Sequence, residues 1–148
     1  MSIVNKTTPD QQSYVGQKAL VNRNGRVLIL HDPTLPEELS YDLPGGKIQE
    51  GEMDFTKALQ REITEETQLT VDIGKPFTTS YFEFPANSSS NNAGKKIFIV
   101  VFECTCVSRD VVLSEEHDGY HWVGPDDFQQ YFKIKTNIYE IIEQYFKM

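Results

Sequence analysis

The order of elements along this chain predicts an α+β fold, a sheet covered by helices on two faces. Two observations carry that prediction. Runs of β-forming residues recur between Tyr14 and Val123, and two segments with helical spacing stand among and after them. A third is the supply of apolar material, 39% hydrophobic and 11% aromatic in 148 residues. That is enough to bury about two-thirds of the unfolded surface in a single domain over 1–148.

Tyr14 to Asn22 reads as a strand, and Arg23-Asn24-Gly25-Arg26 supplies the Asn-Gly of a tight hairpin turn into Val27 to Leu30. Asp32 to Ser40 holds Pro33 and Pro36 and reads as loop, after which Tyr41-Asp42-Leu43-Pro44-Gly45-Gly46 leads to a glycine turn. A helix is expected from about Phe55 to Thr67, capped by Asp54. Val71 to Ile73 and Thr79 to Phe84 read as strands. Pro85 to Ile97 encloses a polar, small-residue hairpin connection. Ile97 to Val107 is the strongest strand, and its continuous hydrophobicity implies burial on both faces. Tyr120 to Val123 is a further short strand. Asn137 to Phe146 carries Ile138, Ile141, Ile142 and Tyr145 at helical spacing, with Asn137 in the capping position.

Composition narrows the function. Lys and Arg number 14 against 22 Asp and Glu, a formal charge of −8. Stable, sequence-independent binding to nucleic acid is excluded on that balance, because it needs a cationic footprint. The same holds for an anionic membrane, and the longest apolar run, Ile97 to Phe102, is far too short to span one. The opening MSIVNKTTPDQQ lacks the layout of a secretion signal, so a cytoplasmic location is expected. Cys104 and Cys106 stand two apart on a strand, where a bridge would be strained, and read as free thiols.

The segment from Gly45 to Leu69 carries the chemistry. At 100° per residue, Glu62, Glu66 and Glu65 fall at about 0°, 40° and −60° on a helical wheel, and Phe55, Leu59 and Ala58 at about 20°, 60° and −40°. One face is therefore apolar in its first half and acidic in its second. Crowded carboxylates resist ionisation without a counter-charge. A hard divalent cation resolves the conflict, and Mg²⁺ characteristically binds through a few carboxylates plus substrate phosphates. Gly45-Gly46 lets backbone approach closely enough to add a carbonyl. The competing interpretation is a solvated acidic face with pairs such as Arg61 with Glu65.

This stretch resembles the Nudix box of the Nudix hydrolases. Gly46 and Glu52 match its first part, and Arg61-Glu62-Ile63-Thr64-Glu65-Glu66-Thr67-Gln68-Leu69 its second. The flanking Tyr-Asp-Leu-Pro-Gly-Gly, the stretch Ser114-Glu115-Glu116-His117 leading to Trp122-Val123, and the C-terminal helix are also similar to the family. Two departures stand out. Met53 to Gln60 puts eight residues between Glu52 and Arg61 where the pattern has seven, which places the extra residue ahead of the helix cap. Gln68 replaces the usual glycine.

The resemblance implies an α/β/α sandwich with a mixed β-sheet between helices. It also implies hydrolysis of a pyrophosphate bond in a nucleoside diphosphate linked to another moiety. Glu62, Glu65 and Glu66 with the Gly45 carbonyl would hold Mg²⁺, or Mn²⁺ in its place, and Arg61 would orient the helix through Glu52. The general base is a box glutamate or a distant residue, for which Glu115 and Glu116 are the candidates, Glu116 foremost. His117 and His121 are four apart but separated by Gly119, and neither is given a metal role. For the substrate, Tyr81, Phe82, Phe84 and Tyr120 are candidate stacking residues, with Tyr81, Phe84 and Tyr120 preferred. Lys95 is a candidate for terminal phosphates. A modified nucleoside triphosphate or an ADP-ribose-like compound is the implied small-molecule substrate. Homodimers are common among such proteins. A non-catalytic nucleotide-binding or sensor module of the same fold is the alternative, disfavoured by the intact glutamate triad.

Overall fold

Strand β1 (Tyr14–Arg23) turns into β2 (Arg26–His31) through Asn24 and Gly25, both at positive φ. That pair is what a two-residue hairpin of this twist requires. The computed structural model describes residues 7–87, 91–108 and 110–148. Beyond the hairpin come β3 (Tyr41–Asp42), β4 (Gly45–Lys47), helix α1 (Phe55–Thr67), β5 (Val71–Glu83), β6 (Lys96–Cys106), β7 (Gly119–Val123) and helix α2 (Asn137–Phe146).

The strands form one mixed sheet in the order β3-β2-β1-β6-β5, with β4 added to β1 and β7 to β2. β1 and β6 run parallel from Tyr14 opposite Ile97 to Asn22 opposite Thr105, and the remaining pairs are antiparallel. Alternation along each strand supplies two cores. Ala19, Val21, Leu28, Leu30, Phe102 and Cys104 meet Leu59 and Ile63 of α1 on one face. Leu20, Val27, Ile29, Ile97, Ile99 and Val101 meet Ile138, Ile141 and Ile142 of α2 on the other. The result is the expected sandwich of a mixed sheet between helices.

α1 has the bounds the sequence implies, with Asp54 accepting the Lys57 amide at 3.2 Å. Four expectations are corrected. The two strands expected in the 71–84 region are one, β5, because irregular register around Pro76 bends the strand without ending it. β6 is not buried on both faces throughout, since Phe98 is 42% exposed where α1 does not reach. α2 is capped by Thr136, whose hydroxyl accepts the Tyr139 amide, not by Asn137. Phe55 is exposed, so the apolar face of α1 begins at Ala58. The middle of the polar connection, 88–90, lies outside the described residues. No described helix is long and apolar enough to cross a membrane.

Candidate active site

The glycine pair and α1 are built against each other. Gly45 and Gly46 face Lys18 and Gln17 across the β1–β4 ladder. Gly45 holds φ 149°, and a Cβ there would run into the Gln17 carbonyl. A Cβ on Gly46 would stand 2.5 Å from the Glu62 carboxyl carbon. A side chain at Gly45 is thus excluded by backbone, and one at Gly46 would displace the Glu62 carboxylate that occupies the space.

The wheel angles order the three glutamates by burial. Ala58, Leu59, Ile63 and Thr67 define the covered face, and Glu66 falls in its middle. Side-chain exposure is 11% for Glu66, 16% for Glu62 and 57% for Glu65. Glu66 Oε1 accepts the Gly45 amide at 2.8 Å. Burial nevertheless dominates over that bond and over Lys18, and pushes its carboxyl up to about 8. Burial also raises Glu62, against the pull of Arg61.

Arg61 organises the outer side. Its Nε and Nη2 hold the two Glu52 oxygens at 3.0 and 2.9 Å, a bidentate fork. Nη1 holds both oxygens of Glu65 at 3.0 and 3.1 Å, and Nη2 reaches Glu62 at 3.0 Å. The long spacing between Glu52 and Arg61 has not broken their contact, because α1 runs without interruption from Phe55 and the extra residue precedes its cap. Arg61 and the Gln49 amide together hold the Glu52 carboxyl below the usual range. On the inner side, Lys18 donates to Asp42 at 2.8 Å. Burial works against its charge, but Asp42, Glu66 and Glu62 outweigh burial and raise its pKa. The crowded carboxylates therefore have two protein cations as partial counter-charges, Arg61, which the sequence pattern names, and Lys18, which it does not.

The loop after β6 closes the cluster. Amides of Val112 and Ser114 donate to the Thr67 and Glu66 carbonyls at the end of α1, at 2.9 and 3.2 Å, satisfying carbonyls that a helix end leaves free. This anchors Glu116 and His117 beside Glu66. One ligand atom from each of the three lies within 4.8 Å of the others. His117, given no metal role from sequence, has Nε2 3.9 Å from Glu66 Oε2. Burial lowers its pKa against the pull of Asp32, Asp42 and Glu116. The signal that locates it is the Glu-Glu-His triplet, legible only once the loop is known to cap α1. His121 lies elsewhere, packed on Tyr131 and Tyr41 at 4.4 and 5.8 Å between ring centres.

A cavity of about 730 Å³ adjoins this cluster, within the range of small-molecule sites. Gly46, Lys18, Asp42 and Lys47 stand at its polar end, and Tyr41, Phe82, Phe84, Ile97 and Ile99 line its apolar part. Among the sequence candidates for substrate contact, Phe84 lines it. Phe82, named but not preferred, lines it too, with the two rings edge-on at 4.9 Å. Tyr81 and Tyr120 are exposed and do not line it. Period-two alternation on β5 sends Tyr81 to the opposite face from Phe82 and Phe84. Lys95 stands outside as well, its ammonium 5.2 Å from the Tyr14 ring, which Lys47 also approaches at 5.1 Å.

Comparison with known proteins agrees with this geometry. A family model described as the NUDIX domain matches residues 15–145. Nucleoside triphosphatase NudI of Escherichia coli O81 is 33% identical over 95 residues, 62% of this chain and 66% of that protein. The chain thus spans just under two-thirds of the length of this curated relative. A MutT protein from Methanosarcina mazei has a similar structure, with a TM-score of 0.74 and 26% identity over 95% of this chain and 96% of that one. A MutT NUDIX hydrolase from Burkholderia pseudomallei gives 0.71 and 25% over 90% and 98%.

Proposed function

This chain belongs to the Nudix family, and from that premise we propose that it is a divalent-metal-dependent pyrophosphohydrolase of a nucleoside diphosphate linked to a second group. The observation that carries the reading is a junction. The cavity ends at Gly46, and the Glu62 carboxylate lies directly against that glycine. A ligand with its apolar part on Phe82 and Phe84 would present its phosphates to the carboxylates.

The residues present fit a cation. Glu66 is buried, short of counter-charge and held near protonation, and the donors on its α1 side, Glu62 and Glu65, are oxygens, as Mg²⁺ requires. Glu62, Glu65 and Glu66 with the Gly45 carbonyl would hold it. When bound, such an ion neutralises charge growing on the diphosphate and lowers the pKa of water. Arg61, its guanidinium fixed by Glu52, would hold Glu62 and Glu65 in orientation. Lys18, at the cavity end, supplies a permanent positive charge to an anionic ligand. Glu116, whose carboxylate stands beside Glu66, would accept a proton from water. Similarity to a nucleoside triphosphatase favours a nucleoside triphosphate, modified or not, over an ADP-ribose-like compound. Magnesium as the working ion and a cytoplasmic location belong to the same proposal.

Glu66→Gln tests it. Glutamine keeps an oxygen to accept the Gly45 amide and matches the protonated carboxyl in shape and charge, so the fold should persist. Loss of an anionic ligand should lower turnover by at least about 100-fold, or ~2.7 kcal/mol. Turnover near that of the parent chain, with an unchanged circular dichroism spectrum, would exclude the metal assignment.

A further inference from the structure

Glu66 faces two ways. Its Oε1 takes the Gly45 amide, while its Oε2 points to Nε2 of His117 at 3.9 Å. That separation is too long for a hydrogen bond. It suits two ligands of one ion, which stand roughly 3–4.3 Å apart when each bond is about 2.1 Å. Glu116, from the same loop, completes a group whose ligand atoms lie within 4.8 Å of one another. Glu62 and Glu65 are outside that group, drawn instead to Arg61.

The imidazole separates this cluster from a plain acidic patch. The His117 side chain is only 8% exposed, and its Nδ1 is buried without a hydrogen-bond partner among the described residues. The Ser114 hydroxyl, at the start of the same loop, is likewise buried and unpartnered. Nε2 is the ring nitrogen that faces Glu66, so an ion in this group is bound through Nε2, while Nδ1 stays buried on the far side of the ring. A nitrogen donor between two carboxylates also selects among ions. Mg²⁺ takes oxygen, whereas Mn²⁺, Co²⁺ and Zn²⁺ accept imidazole as well.

We propose that Glu66, Glu116 and His117 form a mixed nitrogen–oxygen site for a divalent first-row transition ion, on the loop side of Glu66 and bridged through it to the α1 carboxylates. The proposal rests on the metal-dependent reading only through Glu66. The ion bound there has one nitrogen in its coordination sphere, and the site prefers Mn²⁺ to Mg²⁺.

Pulsed electron paramagnetic resonance of the full chain loaded with Mn²⁺ alone tests it, because a coordinated ¹⁴N leaves a distinct coupling. The parent chain should show that coupling and His117→Ala should lose it. Mn²⁺ affinity should fall by about 10-fold or more in His117→Ala, with Mg²⁺ affinity changed far less. Glu116→Gln, on an exposed side chain that folding does not require, should weaken Mn²⁺ while keeping the nitrogen coupling. Mn²⁺ bound without nitrogen coupling would overturn this proposal and leave the preceding one standing. Equal weakening of Mn²⁺ and Mg²⁺ in His117→Ala would also overturn it, by marking His117 as structural. No binding of either ion by the parent chain would overturn both.

Discussion

At the scale of single residues, Glu66 holds the decisive conflict. It is the glutamate that α1 buries most deeply, and Lys18 offsets only part of that burial. Its carboxyl sits at about 8 in the folded chain without a cation. The proton it holds at lower pH competes with any ion. Mg²⁺ affinity should therefore climb between pH 6 and 8, by up to about tenfold per unit, and level off above. Glu62, also raised, acts in the same direction. The stability of the metal-free chain moves the opposite way. Because the folded carboxyl is raised above its unfolded value near 4.5, its contribution is complete below that pH and is lost as pH rises toward 8. Calorimetric Mg²⁺ titrations across this range check the first trend, and melting in chelator checks the second. Affinity flat from pH 6 to 9 would mean either that Glu66 is ionised throughout or that it lies outside the ion's ligands.

At the scale of elements, α1 shows what a sequence discloses and what it withholds. Its bounds, its Asp54 cap and the angular order of its glutamates follow from local spacing, and the glycine pair follows from the need for close approach. Lys18, His117 and the choice of Phe82 over Tyr81 do not, because each depends on long-range pairing. Lys18 arrives on β1 opposite Gly45, and His117 on a loop that caps the end of α1. Phe82 rather than Tyr81 faces the cavity because of the strand register, and a single-residue shift in that phase reverses the choice. The helix also ends at a cost. Gln68 holds φ 57°, a left-handed conformation that glycine adopts freely. Gln68→Gly should stabilise the chain by up to about 1 kcal/mol, seen as a higher urea midpoint at unchanged slope. A lower midpoint would mean that the Gln68 side chain contributes more than its backbone strain costs.

At the scale of the molecule, the sheet separates two tasks. α2 and its core close one face and line part of the cavity with Ile138, while α1 closes the other and supplies carboxylates at the sheet's glycine end. A chain with formal charge −8 would repel an anionic ligand at a distance. Lys18 and Lys47 at the polar end of the cavity, and the cation proposed for the glutamates, would make the encounter favourable locally. That net charge also favours a small nucleotide over a polymer. These features meet in one assay: pyrophosphate and phosphate release, with Mg²⁺ or with chelator, from nucleoside triphosphates plain and oxidised, ADP-ribose, dinucleoside polyphosphates and nucleotide sugars. Cleavage of one class well above the rest, abolished by chelator, is the predicted result. Binding of panel members without cleavage of any, at saturating Mg²⁺, would contradict it and identify the chain as a nucleotide-binding module that has kept its glutamates without the chemistry.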